Sequence, residues 1–258
     1  MAKRRQPRKK AAPRKKSSSS KKGKSKFFIW ISIPVGVLAF FYFWYETNGM
    51  IQTSSHFHEI IPPGYKSVGL DVSHHQGEID WDLLLNEKGF DTIIDFVYCK
   101  VTEGSDHLDT QWERNREYLN KHGISNGAYH YFNPKSLPRP QAAHFLSVYK
   151  IRSIDLPPVI DVEDEGFSDE DLRAKVLIWC EEVQKATGVR PIIYTSLSFY
   201  ETKFRGKMEG YHFWIAAYSR EPQYMTDREV LHWQFSESGR LPGISGMVDL
   251  NVSKQELY

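Results

Sequence analysis

Three patterns of hydrophobic and polar residues divide the chain. Residues 1–26 are Lys, Arg, Ser, Pro and Ala with almost nothing apolar, and residues 27–45 carry no charge at all. From residue 67 onward, short apolar runs alternate with amphipathic ones. Runs at 68–73, 92–101, 127–132, 157–163, 191–195, 213–218, 230–235 and near 248–250 read as strands, several bounded by Pro or Gly. Between them, helical spacing predicts a short helix begun near Asp80, a polar helix over 109–122 stopped by Gly123, and a helix over 141–149 after Pro138 and Pro140. A long helix opens at Ser168, repeats Leu172, Val176, Trp179, Cys180 and Val183 on one face, and ends at Gly188.

Strands alternating with helices imply a parallel sheet, and about eight strands in under 200 residues imply closure. The expected architecture is α/β, an irregular TIM-like (β/α) barrel over residues 67–258, irregular because the last strands lack long intervening helices.

Composition changes the picture at the amino end. The net charge of +2 hides a basic arm on an acidic domain. Residues 1–26 hold thirteen Lys and Arg and no acid, leaving 21 basic against 32 acidic residues elsewhere. Such an arm cannot form a core and is expected to be disordered. Alone it would suggest nucleic acid, but the uncharged run at 27–45 follows it, and nineteen helical residues span about 28 Å, close to a bilayer's hydrocarbon thickness. Trp30, Tyr42, Trp44 and Tyr45 sit towards its ends, as interfacial aromatics do. The expectation is therefore a single transmembrane signal-anchor at 27–45 in the cytoplasmic membrane, since no small-x-small cleavage site follows. The arm then stays in the cytoplasm against anionic lipid, and everything after Tyr45 faces the periplasm or exterior, with no nucleic acid expected as partner. Residues 46–66 read as a linker, in which His56, His58 and Glu59 are solvated and not metal ligands.

Candidate chemistry gathers at strand ends. Asp161 and Glu163 are two apart at the end of an apolar run, so on a strand they share a face, and two adjacent carboxyl groups cannot both ionise freely. A solvating loop would explain Asp164 and Glu165 equally well, but it does not require acids at the two same-face positions. The other strand ends carry Asp71, Glu103, Tyr131, Tyr194, Tyr218, Gln234 and Asp249, with Trp233 beside Gln234. Acids, tyrosines and tryptophans without Cys/His/Asp metal spacing suit a carbohydrate cleft, with no cofactor and no metal expected. Cys99 and Cys180 read as buried thiols, and Asn251-Val252-Ser253 as a chance glycosylation sequon.

These residues carry a resemblance. Asp71-Val72-Ser73-His74-His75-Gln76-Gly77 resembles the D-x-S-x-x-Q-G opening of the glycoside hydrolase family 25 lysozymes. Lys100-Val101-Thr102-Glu103-Gly104, residues 127–132, Asp161-Val162-Glu163, Trp214-Ile215-Ala216, Trp233-Gln234 and Val248-Asp249-Leu250-Asn251 then follow in the family's order. What the resemblance implies is a muramidase acting on peptidoglycan. Its acid/base would fall on Glu163, with an anionic Asp161 beside it raising its pKa, and its further acidic positions on Asp71 and Asp249. Tyr131, Tyr194, Tyr218, Trp233, Gln234 and Glu103 would contact substrate. A binding module that has lost catalysis and a chitinase-like hydrolase of N-acetylglucosamine polymers remain as alternatives.

Overall fold

The computed structural model describes residues 61–86, 94–218 and 220–256. The basic arm, the apolar run at 27–45 and most of the linker therefore lie outside the described residues, as does the start of the strand expected at 92. Among the described residues no helix is long and apolar enough to cross a membrane.

Nine strands are described: β1 Ser67–Val72, β2 Phe96–Glu103, β3 His107–Leu108, β4 Ser125–Tyr131, β5 Val159–Asp161, β6 Ile192–Ser196, β7 His212–Ala216, β8 Val230–Gly239 and β9 Val248–Ser253. Helices α1 Trp81–Asn86, α2 Trp112–Lys121, α3 Pro138–Val148 and α4 Asp169–Thr187 lie between the earlier strands, while β6 and β7 are joined by helical turns over 197–204. The sheet runs β1-β9-β8-β7-β6-β5-β4-β2, with β3 folded back on β2, and a parallel β1–β2 pairing closes it. The protein is thus a mixed α/β fold built on an eight-stranded barrel-like sheet.

The parallel order expected from the sequence holds from β1 through β2 and on to β8, but β9 runs antiparallel to both β8 and β1. Only residues 240–247 separate β8 from β9, too few for the crossover that a parallel return needs. Other departures are local. Pro138 begins α3 instead of preceding it, because proline's fixed φ and missing N–H fit the first helical turn. The run at 157–163 is a strand only to Asp161. Beyond it single backbone bonds continue the extended course, Val162 N–H to Tyr194 O at 2.9 Å among them. The β3 hairpin and the turns over 197–204 have no counterpart in the expected elements.

Long α4 follows its sequence signals closely. The Ser168 hydroxyl accepts the Asp171 N–H at 3.1 Å, Gly188 closes the helix at φ 76°, and Leu172, Val176, Trp179, Cys180 and Val183 are all fully buried. At about 1.5–3 kcal/mol for each large apolar side chain, that stripe holds the helix to the sheet.

Alternation along the strands makes two cores. One face sends Leu70, Val97, Cys99, Ile160, Ile193, Ile215 and Leu250 outward against the helices. The other fills the barrel with Phe96, Tyr98, Val159, Ile192, Tyr194 and Trp214. So many rings fit because two facing positions are glycine: a Cβ on Gly127 would lie 2.2 Å from the Tyr98 ring, and one on Gly69 2.4 Å from Phe96. Cys99 and Cys180 are both buried free thiols.

Candidate active site

Inward-facing positions change character towards the carboxyl ends of the parallel strands. On β2 the inward series Phe96, Tyr98 ends in Lys100; on β5 it runs from Val159 to Asp161; on β1 it runs from Gly69 to Asp71. The change opens a cleft of about 240 Å³ lined by Asp71, Lys100, Tyr129, Tyr131, Asp161, Glu163, Tyr194, Trp214 and Asp249, with Ser73, His75 and Gln76 on its rim. Asp249 reaches this end from the start of its strand, because β9 runs the other way and pairs it with Asp71.

The rim is built by local turn chemistry. Ser73 caps one 3-10 turn, His74–Gln76, by accepting the His75 N–H, and the Gln76 side chain accepts the Ser73 N–H at 2.9 Å. Gly77 leaves the turn at φ 64°, where a side chain would be strained. The Gln76 amide then donates to Met247 O at 3.1 Å, tying this turn to the entry of β9 and so to Asp249. Ser73, Gln76 and Gly77 thus act as scaffold.

Asp71 lies deepest. Its Oδ2 accepts the amides of Gln234 at 2.9 Å and Asn251 at 2.7 Å. Burial raises its pKa, and these donors, with Asp249, pull it back. Asp249 is pushed up to about 8, chiefly by desolvation and then by the Asp71 charge and hydrogen bond. The pair therefore shares one proton, with Asp249 as donor and Asp71 as acceptor.

Asp161 and Glu163 line the same cleft, as their spacing implies, with Val162 buried on the opposite side. Asp161 is raised well above the usual carboxylate range by burial, then by Glu163 and Asp71, and its Oδ1 is buried without a hydrogen-bond partner. Glu163 is also raised, by desolvation first and then by Asp71 and Asp164, opposed by the nearby Tyr194 hydroxyl and the charge of Lys100. Its residue surface is open, yet the carboxyl sits in a crowded concavity. Of the two, Asp161 is driven further, because it belongs to the barrel interior while Glu163 stands one step nearer solvent.

The other expected contacts divide. Tyr131 and Tyr194 line the cleft. Gln234 sits behind them as a hub, its Oε1 accepting the Tyr194 and Tyr218 hydroxyls at 2.8 Å each while its amide holds Asp71. Tyr218 is half exposed beside this hub. Trp233 points the other way, into the outer core against Tyr65 and Phe235, with its indole N–H on Ala217 O. Glu103 stands outside the cleft lining and binds Lys100 Nζ at 2.6 Å. Desolvation would raise Glu103, but the bond and charge of Lys100 prevail and lower its pKa.

Three residues lining the cleft, Lys100, Tyr129 and Trp214, belong to the motifs that carry the resemblance but have no role expected from the sequence. Asn251, from the last motif and within the sequon, stands behind them, bonded to Asp71 and Trp214. Asn251 is fully buried between Asp71 and the Trp214 indole, so in the folded protein it carries no glycan. Among the described residues no group of three His, Cys, Asp or Glu side chains is placed to hold a metal ion.

Comparison with known proteins agrees with this geometry. The sequence model of glycosyl hydrolases family 25 matches residues 70–244. The uncharacterized protein YegX of Escherichia coli K12 is 34% identical over 220 residues, covering 81% of each chain. Lysozyme M1 of Streptomyces globisporus is 30% identical, covering 71% of this chain and 66% of its own. The structure of a family 25 glycosyl hydrolase from Bacillus anthracis superposes with a TM-score of 0.67 at 29% identity, over 76% of this chain and 92% of that one. A barrel whose strand ends bring four carboxyl groups into one cleft, matched by the family's sequence model over most of its length, places this chain in glycosyl hydrolase family 25.

Proposed function

We propose that this family 25 enzyme cleaves the β-1,4 bond between N-acetylmuramic acid and N-acetylglucosamine in peptidoglycan, with Glu163 as general acid and Asp161 as its partner. The chain is a glycoside hydrolase of the lysozyme type. The observation that carries the assignment of roles is the buried, unpartnered Oδ1 of Asp161 beside the more exposed carboxyl of Glu163. An acetamido N–H of a bound sugar supplies the missing donor and stabilises the Asp161 anion. The same sugar covers Glu163 and raises its pKa, so the proton moves to the group that must give it to the leaving oxygen. Asp161 then orients the acetamido oxygen or stabilises positive charge on the sugar ring. Asp71 and Asp249 hold the cleft floor, and Tyr131 and Tyr194 supply hydroxyls and a ring face to the sugar.

Peptidoglycan and its chemically N-deacetylated form, offered to the full chain side by side, test this reading. Cleavage of the first and near-complete loss on the second are expected. Equal rates on both would rule out the acetamido role.

We also propose that residues 27–45 anchor the protein in the cytoplasmic membrane, with the basic arm on the cytoplasmic side against anionic lipid and the barrel outside. The uncharged run and its basic flank support this. Protease digestion of intact cells should remove the barrel and spare the arm; protection of the barrel would overturn the orientation.

A further inference from the structure

A lysine at an inward position of a barrel strand is costly unless its charge is used. Lys100 is such a residue, with its side chain 6% exposed, and among the described residues lining the cleft it is the sole Lys or Arg. Its ammonium group bonds Glu103 Oε2 at 2.6 Å and lies 4.9 Å from the centroid of the Tyr131 ring. Tyr131 in turn donates to Asp164, the residue after Glu163, at 3.4 Å. A structural ion pair is the simple alternative. Yet Glu103 is 43% exposed and outside the cleft lining, while Lys100, 6% exposed, lines the cleft with Asp161 and Glu163, so the pair joins a solvent-facing acid to a cation inside the cleft.

We propose that the Lys100–Glu103 pair sets the charge of the catalytic cleft, with Lys100 a positioning residue that acts on Asp161 and Glu163 through its field and Glu103 the leash that fixes where the ammonium group sits. The proposal rests on the roles given to Asp161 and Glu163 above. Both carboxyls feel the cation, which opposes the burial and mutual repulsion that raise them. Glu103 cancels part of that charge, so the two members of the pair act in opposite directions.

Other groups share this space. Asp71 faces it from β1 and Asp249 from β9, Tyr129 and Tyr131 from β4, and Asp164 from the loop beyond β5. On the Glu103 side, His74 from the 3-10 turn and His107 from β3 stand near enough to add positive charge, and His75 lines the rim. Charged groups thus surround the pair on both sides, and comparison between variants isolates its effect.

The test is the pH dependence of kcat/KM on purified peptidoglycan for the full chain and three variants. Lys100→Met should move both limbs of the profile to higher pH by roughly one unit, because each carboxyl loses the cation that favours its charged form. Glu103→Gln should move them to lower pH, and Lys100→Arg should stay near the wild type. A structural role would lower the rate and leave the limbs in place. Unmoved limbs, or limbs moving the same way in Lys100→Met and Glu103→Gln, overturn the proposal. Should Lys100→Met fail to fold, the exposed Glu103→Gln variant still decides the sign. The same shifts are expected in carboxyl carbon-13 titrations of the full chain, which need no turnover. The pair is therefore judged separately even if the wild type releases no fragments ending in muramic acid.

Discussion

Asp71 and Asp249 stand opposite each other across the antiparallel β1–β9 pair and share a proton at the floor of the cleft. Because Asp249 holds that proton up to about pH 8 in the folded protein and loses it near 3.8 when unfolded, its contribution to stability is fully present below 3.8 and lost as pH rises through 8. Asp249→Asn keeps a donor toward Asp71 without the titration. The variant should match the wild type in acid, gain about 1–3 kcal/mol of stability above pH 8, and lose activity; thermal melts across pH 4–9 check the crossover. A wild type that stays the more stable form at high pH would contradict the shared proton.

Two buried histidines act in the opposite sense. Burial lowers the pKa of His130 and His232 to about 3 each, against 6.5 unfolded. Their neutral forms contribute stability that is present above 6.5 and lost as pH falls towards 3. His232 packs among Phe96, Tyr98 and Trp214 with its Nδ1 unpartnered. His232→Phe should therefore flatten the acid side of the stability curve by about 1.4 kcal/mol per pH unit over that window. Urea denaturation at several pH values measures the slope directly.

The barrel interior tolerates no side chain at position 127, where a Cβ would meet the ring of buried Tyr98. Gly127→Ala should cost about 2–3 kcal/mol, and Tyr98→Leu in the same chain should recover part of it by making room. Additive losses in the double variant would mean that the two positions do not clash.

Gln234 joins Tyr194 and Tyr218 to Asp71 by three hydrogen bonds. Replacing it with Leu strands two hydroxyls and removes a donor from the Asp71 carboxylate. A loss of about a hundredfold in kcat with a smaller change in KM is expected, since the hub orients catalytic groups more than it binds sugar. Steady-state kinetics on soluble glycan fragments separates the two constants.

Much of this site was legible in the chain because period-two alternation is a strong signal at strand ends. Asp71, Asp161 and Glu163 each follow a short apolar run, and their facing follows from spacing alone. The side taken by Trp233 was not legible. A register shift between Phe213 and Trp214 changes how β7 and β8 pair, and a slip of one residue exchanges the faces. The extra residue lies on β8, so Trp233 consequently faces the outer core, while Trp214 on unshifted β7 meets the cleft. Lys100 and Asn251 stand in motifs that carry the resemblance, but a lysine in a strand ordinarily marks solvent and an asparagine in a sequon ordinarily marks surface, so neither pattern placed its residue at the site. The reversal of β9 was implicit in the short 240–247 connection, which leaves no room for a crossover.

Mass spectrometry of the fragments released from purified peptidoglycan by the full chain, run beside a folded Glu163→Gln variant, tests the central claim most directly. Fragments with muramic acid at the reducing end from the wild type, and none from the variant, are the expected result. Near-normal release by the variant, or N-acetylglucosamine at the new reducing ends, would contradict it.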